Sequence, residues 1–179
     1  FKDNNYKRPK ALINIFGKPI LYYLLDNLNL KNIEFVYIPY NLEYINYNFE
    51  SLLKKDYPNI KFKFLCLPDN TRGAAETINI ALNKLEEPDM PVLCLDGDNF
   101  YLNDIISLWG GANKIFTFID STVDPIYSYV EVKESKIIQI KEKEKISDLA
   151  CSGAYGFDSY YKLKKFSSII LENYKTQKN

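Results

Sequence analysis

Histidine is absent from all 179 residues of the chain. Its absence removes Ser-His-Asp and Cys-His nucleophiles, histidine-ligated metals and the usual general base. Any chemistry here must run on carboxylates, lysines, backbone amides and hard cations. Cysteine is scarce: Cys66, Cys94 and Cys151 are far apart, odd in number and lack C-x-x-C spacing, which argues against a disulfide framework and against zinc. Each lies in an apolar context (FLCLP, VLCLD, LACSG), as expected of buried, reduced thiols in a cytoplasmic protein. Neither sign of charge dominates, with 23 basic and 23 acidic side chains, so no broad nucleic-acid partner is expected. No apolar run approaches the ~20 residues of a membrane span, and no signal-peptide pattern is present. An initiator Met is missing too. The chain opens Phe1-Lys2-Asp3, as though cut from something longer.

What is present reads as one globular domain over residues 1–179. Ile20, Leu21, Leu24, Leu25 and Leu28 recur at helical spacing behind Pro19, which predicts a helix over about 19–29. A strand is expected at EFVYIPY, a helix over about 42–56 stopped by Tyr57-Pro58, and a strand at IKFKFLCL. TRGAAETINIALNKL places Ala74, Ile78, Ala81, Leu82 and Leu85 on one helical face. PVLCLD is a continuous apolar run, as in a central strand covered on both faces. After a short helical piece, KIFTFID, YSYVEVK, KIIQIKEK and ACSGAYGF all read as strands, and an amphipathic helix over about 159–174 closes the chain. Strand–helix alternation in the first hundred residues predicts a largely parallel α/β sheet, and the β-rich remainder an antiparallel addition.

Several motifs carry candidate chemistry. Asp96-Gly97-Asp98 stands where the apolar run ends, the place where open α/β sheets bind ligands. Two carboxylates there are hard ligands for Mg2+, which is usually held by one or two carboxylates plus substrate phosphates; a strand-ending turn with Asp as a cap is the plain structural alternative. Lys10, between Pro9 and an apolar segment, is either a point charge for a phosphate or a surface lysine. Gly73 and Ala74 open a helix with small residues, suiting close approach of a ligand or tight helix–sheet packing. Glu142-Lys143 follows an alternating strand and reads as a ligand-binding pair or as a solvated charge run. Gly153, inside a strand, signals close backbone approach or a bulge.

In their order, PKALINIFGKPIL, TRGAAETINIAL, PVLCLDGDNFY, IIQIKEK and SGAYGF resemble the sugar-phosphate nucleotidyltransferases, over nearly the whole chain. The resemblance implies a Rossmann-like three-layer α/β/α sandwich with a mixed, mainly parallel sheet. It also implies transfer of a nucleotidyl group from a nucleoside triphosphate to a small phosphorylated acceptor, with release of pyrophosphate and with Mg2+ as cofactor. By that resemblance Lys10 contacts phosphates, and Gly73 and Ala74 pack on the nucleobase. Asp98 binds the metal, with Asp96 as a possible helper. Glu142, Lys143 and Gly153 meet the acceptor.

Three departures stand out. The glycine-rich loop expected before Phe1 is missing, no glutamine precedes Gly73 to read the base, and the chain stops before a second metal-binding aspartate. A trimmed fragment, inactive as it stands, is therefore expected. Two alternatives stay open: a glycosyltransferase that grips a nucleotide-bound metal through Asp96-x-Asp98, and a non-catalytic module of the same fold. The acceptor and nucleobase are not legible in the sequence, and a homo-oligomer is possible.

Overall fold

A computed structural model describes residues 8–172. Phe1, before which the glycine-rich loop was expected, and the last residues of the final expected helix lie outside them. Pro9 opens a 3-10 turn, Lys10–Leu12, whose buried Leu12 packs on Leu21 and Leu24. A small antiparallel hairpin follows, β1 (Asn14–Ile15) with β2 (Lys18–Pro19). Helix α1 (Ile20–Asn27) starts directly after Pro19 and buries Leu21, Leu24 and Leu25, the stripe its periodicity predicts. β3 (Val36–Asn41) and β4 (Phe62–Leu67) pair in parallel over six residues each. Between them the expected single helix is broken. Asn48 takes a left-handed conformation, φ 50°, and separates a 3-10 stretch, Leu42–Tyr47, from α2 (Phe49–Asp56). Asn tolerates that region, and the break swings Phe49 and Leu53 into the core beside Tyr40.

Helix α3 (Ala74–Asn83) leads to β5 (Val92–Leu95), and α4 (Ile105–Trp109) to β6 (Lys114–Ile119). β7 (Ser128–Lys133), β8 (Lys136–Glu142), β9 (Leu149–Phe157) and α5 (Tyr160–Glu172) complete the described chain. β9 organises the five-stranded sheet. Tyr155 is flanked by Cys94 of β5 and Ile115 of β6, while Ala150 is flanked by Phe118 of β6 and Tyr129 of β7. β6 therefore runs along one edge of β9, while β5 and β7 share the other, and β8 pairs with β7. The class is α/β with mixed sheets, as expected. Among the described residues the parallel pairing is that of β3 with β4, and the pairings of β5 to β9 are antiparallel.

Alternation along β5 settles its two faces. Leu95 joins the cluster of α1 and α2, whereas Val92 and Cys94 pack on Leu82 of α3 and Tyr160 and Leu163 of α5. β5 is thus covered on both sides, as its apolar run predicts. One polar knot is buried near the β6–β7 connection. Asp120 accepts from Tyr129 Oη (2.6 Å) and from the Thr122 hydroxyl (2.7 Å) and amide (3.0 Å). Lys145 closes the knot on the Asp120 and Thr122 carbonyls. These bonds hold the Asp120 carboxyl below its ordinary range, the tyrosine bond most. No helix among the described residues is long and apolar enough to cross a membrane.

Candidate functional site

The end of β5 is strapped to β9. The Asp96 amide donates to the Gly153 carbonyl at 2.9 Å. Asn99 Nδ2 donates to the Ser152 carbonyl at 2.5 Å, and Tyr101 Oη adds a second bond to that oxygen at 3.1 Å. Asn99 also accepts the Phe100 amide at 2.9 Å, closing a local Asx-type turn. The two aspartates are therefore carried on a turn whose far side is fixed by the neighbouring strand.

Gly153 is obligatory here for two reasons. Its φ of +78° is left-handed, and a Cβ built on it would lie 2.5 Å from Asp96 Oδ2 and 3.0 Å from Asp96 Cγ. The Asp96 carboxyl thus lies against bare backbone. Crowding by β9 pushes its pKa up, the charge of Asp98 adds to this, and Lys10 opposes it. Lys10 reaches across from the 3-10 turn and pairs with Asp98. Burial, helped by Asp96, pushes the Cys94 thiol up to about 12. At neutral pH that thiol stays protonated, and it is no nucleophile.

A second group lines a separate cleft of about 300 Å³. Gly73 and Ala74 form one wall, Ser128, Ile140 and Glu142 another, and Ile170 and Leu171 of α5 a third. Gly73 is extended and caps α3 through its carbonyl, which accepts the Thr77 amide at 3.1 Å. Arg72 flanks it, and Glu76, one turn into α3, binds Arg72 twice over. One carboxylate oxygen takes the Arg72 amide at 2.6 Å, and the other takes Nε at 3.0 Å and Nη2 at 2.9 Å. Those bonds hold the Glu76 carboxyl below its ordinary range.

Seven of the eight candidate residues thus fall into two sets. Lys10, Asp96, Asp98 and Gly153 meet around the end of β5, and Gly73, Ala74 and Glu142 share the cleft. Lys143 joins neither. It is exposed, with φ +53°, and its amide donates to the Tyr127 carbonyl at 2.8 Å. Its neighbour Lys145 serves the Asp120 knot. Asn99, Tyr101, Arg72, Glu76 and Ser128 were not foreseen. The i,i+4 spacing of Arg72 and Glu76 is a readable signal, whereas Ser128 enters the cleft through strand register alone.

Asp96 and Asp98 are two hard-oxygen donors side by side, a set that suits Mg2+ completed by substrate phosphates. Among the described residues no group of three or more His, Cys, Asp or Glu side chains could hold a metal by itself.

A family model described as Nucleotidyl transferase matches residues 5–178. The chain is 24% identical over 170 residues to the bifunctional protein GlmU of Methanococcus vannielii, covering 93% of this chain and 38% of that protein. It therefore spans well under half the length of that curated relative. Among solved structures it is similar to the nucleoside-diphosphate-sugar pyrophosphorylase from Vibrio cholerae RC9, with TM-score 0.77 and 20% identity over 99% of this chain and 74% of that one. It is also similar to the inositol-1-phosphate CTP transferase from T. maritima, with TM-score 0.69 and 15% identity over 94% and 67% of the two chains. At these identities the structural likeness establishes the fold.

Proposed function

Given that the chain belongs to the nucleotidyl transferase family, we propose that the protein of which it forms part transfers a nucleotidyl group from a nucleoside triphosphate to a small phosphorylated acceptor, releasing pyrophosphate. The relatives' names span nucleoside-diphosphate sugars and inositol 1-phosphate, which supports a sugar phosphate or another phosphorylated alcohol as acceptor. The observation that carries the reading is the meeting of Lys10 with Asp98 at the end of β5, beside Asp96.

An acceptor phosphate monoester is largely dianionic at neutral pH, since its second pKa is ~6. Its oxygen can attack the α-phosphorus without a general base, which suits a chain lacking histidine. The protein's task is then to bring two anions together and hold them in line. Asp98, with Asp96 beside it, would hold Mg2+, which supplies charge neutralisation on the triphosphate. Lys10 meets a phosphate oxygen as a point charge. Its pairing with Asp98 does not prevent this: the lysine side chain is 54% exposed, and ion pairs of that kind are worth only ~0–1 kcal/mol. Leu12 anchors the 3-10 turn in the core and so fixes where Lys10 starts. Gly73, Ala74 and Glu142 would receive the base and the acceptor in the cleft, with Gly153 next to the acceptor phosphate.

The test is pyrophosphate release by the intact-length protein with each nucleoside triphosphate, Mg2+ and a panel of phosphorylated acceptors. Asp98→Asn and Lys10→Ala are each expected to lower the rate on the order of 10²–10³-fold. Near-full activity in both would sink the assignment. Release of a free nucleoside diphosphate from a nucleotide sugar, without pyrophosphate, would identify a glycosyltransferase instead.

A further inference from the structure

Two successive carbonyls of β9 hold the turn that carries Asp96 and Asp98. The Gly153 carbonyl takes the Asp96 amide at 2.9 Å, and the Ser152 carbonyl takes Asn99 Nδ2 at 2.5 Å and Tyr101 Oη at 3.1 Å. In a regular antiparallel sheet, successive residues of a strand bond to opposite edges, so these two oxygens would not meet one turn. Gly153 reconciles them: its φ of +78° rotates the peptide before it against the peptide after it. The far edge of β9 shows the consequence. There the register with β6 shifts between Ile115, opposite Tyr155, and Thr117, opposite Cys151, which leaves the Ser152 carbonyl to the turn. Within the turn the two aspartates are fixed differently. Asp96 is held by its own amide and lies against Gly153. Asp98 follows Gly97, which has no side chain to anchor it, and a Cβ built there would come no nearer than 3.9 Å to Leu21 Cδ1. On its other side stands Asn99, whose amide works at both ends. Nδ2 donates to β9, and Oδ1 accepts the Phe100 amide at 2.9 Å.

We propose that Asn99 is a positioning residue for the metal: by tying the turn to the Ser152 carbonyl it sets where Asp98 stands, and with that the affinity for a divalent cation. This rests on the nucleotidyl-transfer reading above. The role calls for a side chain that donates and accepts at once. An aspartate of the same shape accepts alone and would set a lone pair against the Ser152 carbonyl; alanine does neither. Placement counts heavily here, because Asp96 and Asp98 are a sparse donor set. Among the described residues no third His, Cys, Asp or Glu joins them in a metal-holding group, so a misplaced Asp98 is not made good by a spare ligand. Groups that orient metal ligands typically weigh about 10- to 100-fold in metal affinity. Tyr101 is the lesser strap. Its bond to the same oxygen is the longer of the two, and it stands further along the chain from Asp98.

The experiment is Mn2+ binding to the intact-length protein, followed by electron paramagnetic resonance. Mn2+ takes the same oxygen ligands as Mg2+. The α,β-methylene analogues of CTP, UTP, ATP and GTP are supplied in turn, so that no turnover occurs. Wild type is compared with N99A, N99D and Y101F, and urea unfolding of each variant is measured alongside. N99A should bind Mn2+ about 10- to 100-fold more weakly, and Y101F should lose less than N99A. The Mg2+ concentration that half-saturates pyrophosphate release should rise in N99A by the same factor as the Mn2+ affinity falls. A merely structural role would lower the urea midpoint and leave the metal affinity of the folded protein where it was. N99D keeps the size of the side chain and the bond to Phe100, and so serves even where N99A does not fold. Its added carboxylate favours a cation, so weaker Mn2+ binding in N99D can come only from the lost strap, and weaker binding is expected. Wild-type Mn2+ affinity in folded N99A, equal or tighter binding in N99D, or a loss in Y101F as large as that in N99A overturns the proposal and leaves nucleotidyl transfer standing. Failure of wild type to bind Mn2+ with any of the four analogues overturns the transfer reading, and this one with it.

Discussion

Replacing Gly153 with alanine tests the packing on which the turn at Asp96 and Asp98 depends. Two costs add. An L residue in the left-handed region at φ +78° costs ~1–2 kcal/mol. The new methyl also falls 2.5, 3.0 and 3.1 Å from Asp96 Oδ2, Cγ and Cβ. The 2.5 Å approach forces a shift, and overpacking of this kind costs ~1–3 kcal/mol. The sum is roughly 2–5 kcal/mol, a large share of a domain stability of ~5–15 kcal/mol. Urea unfolding measures it directly, and the melting temperature should fall by roughly 4–20 °C. The two parts can be separated. Asp96→Ala removes Oδ2 and Cγ, so the double variant should recover the overpacking share, ~1–3 kcal/mol of coupling, and keep the backbone share. If Gly153→Ala stays within ~0.5 kcal/mol of wild type, or Asp96→Ala brings no relief, the reasoning is wrong.

Two further outcomes follow from the buried groups. Asp120→Asn should destabilise the fold at pH 7, because the carboxylate accepts from Tyr129 and Thr122 and its pKa is held down. A depressed acid contributes stability above its unfolded pKa and loses it as pH falls through the folded one. The gap between variant and wild type in urea midpoint should therefore close below about pH 4; a gap of constant size would refute the account. Cys94, pushed up to about 12 by burial and Asp96, should resist iodoacetamide at pH 8 in the folded chain and react once it is unfolded. Rapid native labelling seen by peptide mass spectrometry would contradict this.

Local pattern carried much of the fold. The leucine stripe of α1, the alternation of β4 and the two-faced apolar run of β5 each obey a period that needs only neighbours in sequence. Pattern failed where one residue's conformation overrode it. Asn48 breaks a helix whose periodicity looks continuous, because a left-handed asparagine is inexpensive and burial of Phe49 rewards the turn. Lys10 opens a 3-10 turn, a local geometry that the apolar segment behind it does not announce. Glu142 and Lys143 looked like one unit, yet Glu142 faces the cleft while the positive φ of Lys143 turns it to solvent.

The amino-acid sequence alone determined the chemistry available and the family. Without histidine the chain is left with carboxylates, lysines and hard cations, and five motifs in one order carry the likeness. Tertiary structure decided which residues meet. Asp96 and Gly153 are 57 positions apart in numbering, and only the pairing of β5 with β9 sets one against the other. Lys10 comes to Asp98 because Leu12 is buried beside α1. Arg72 and Glu142 share a cleft because β8 lies beside β7 and α5 packs on α3. Such meetings are set by burial and strand register over long separations, terms that no local period contains.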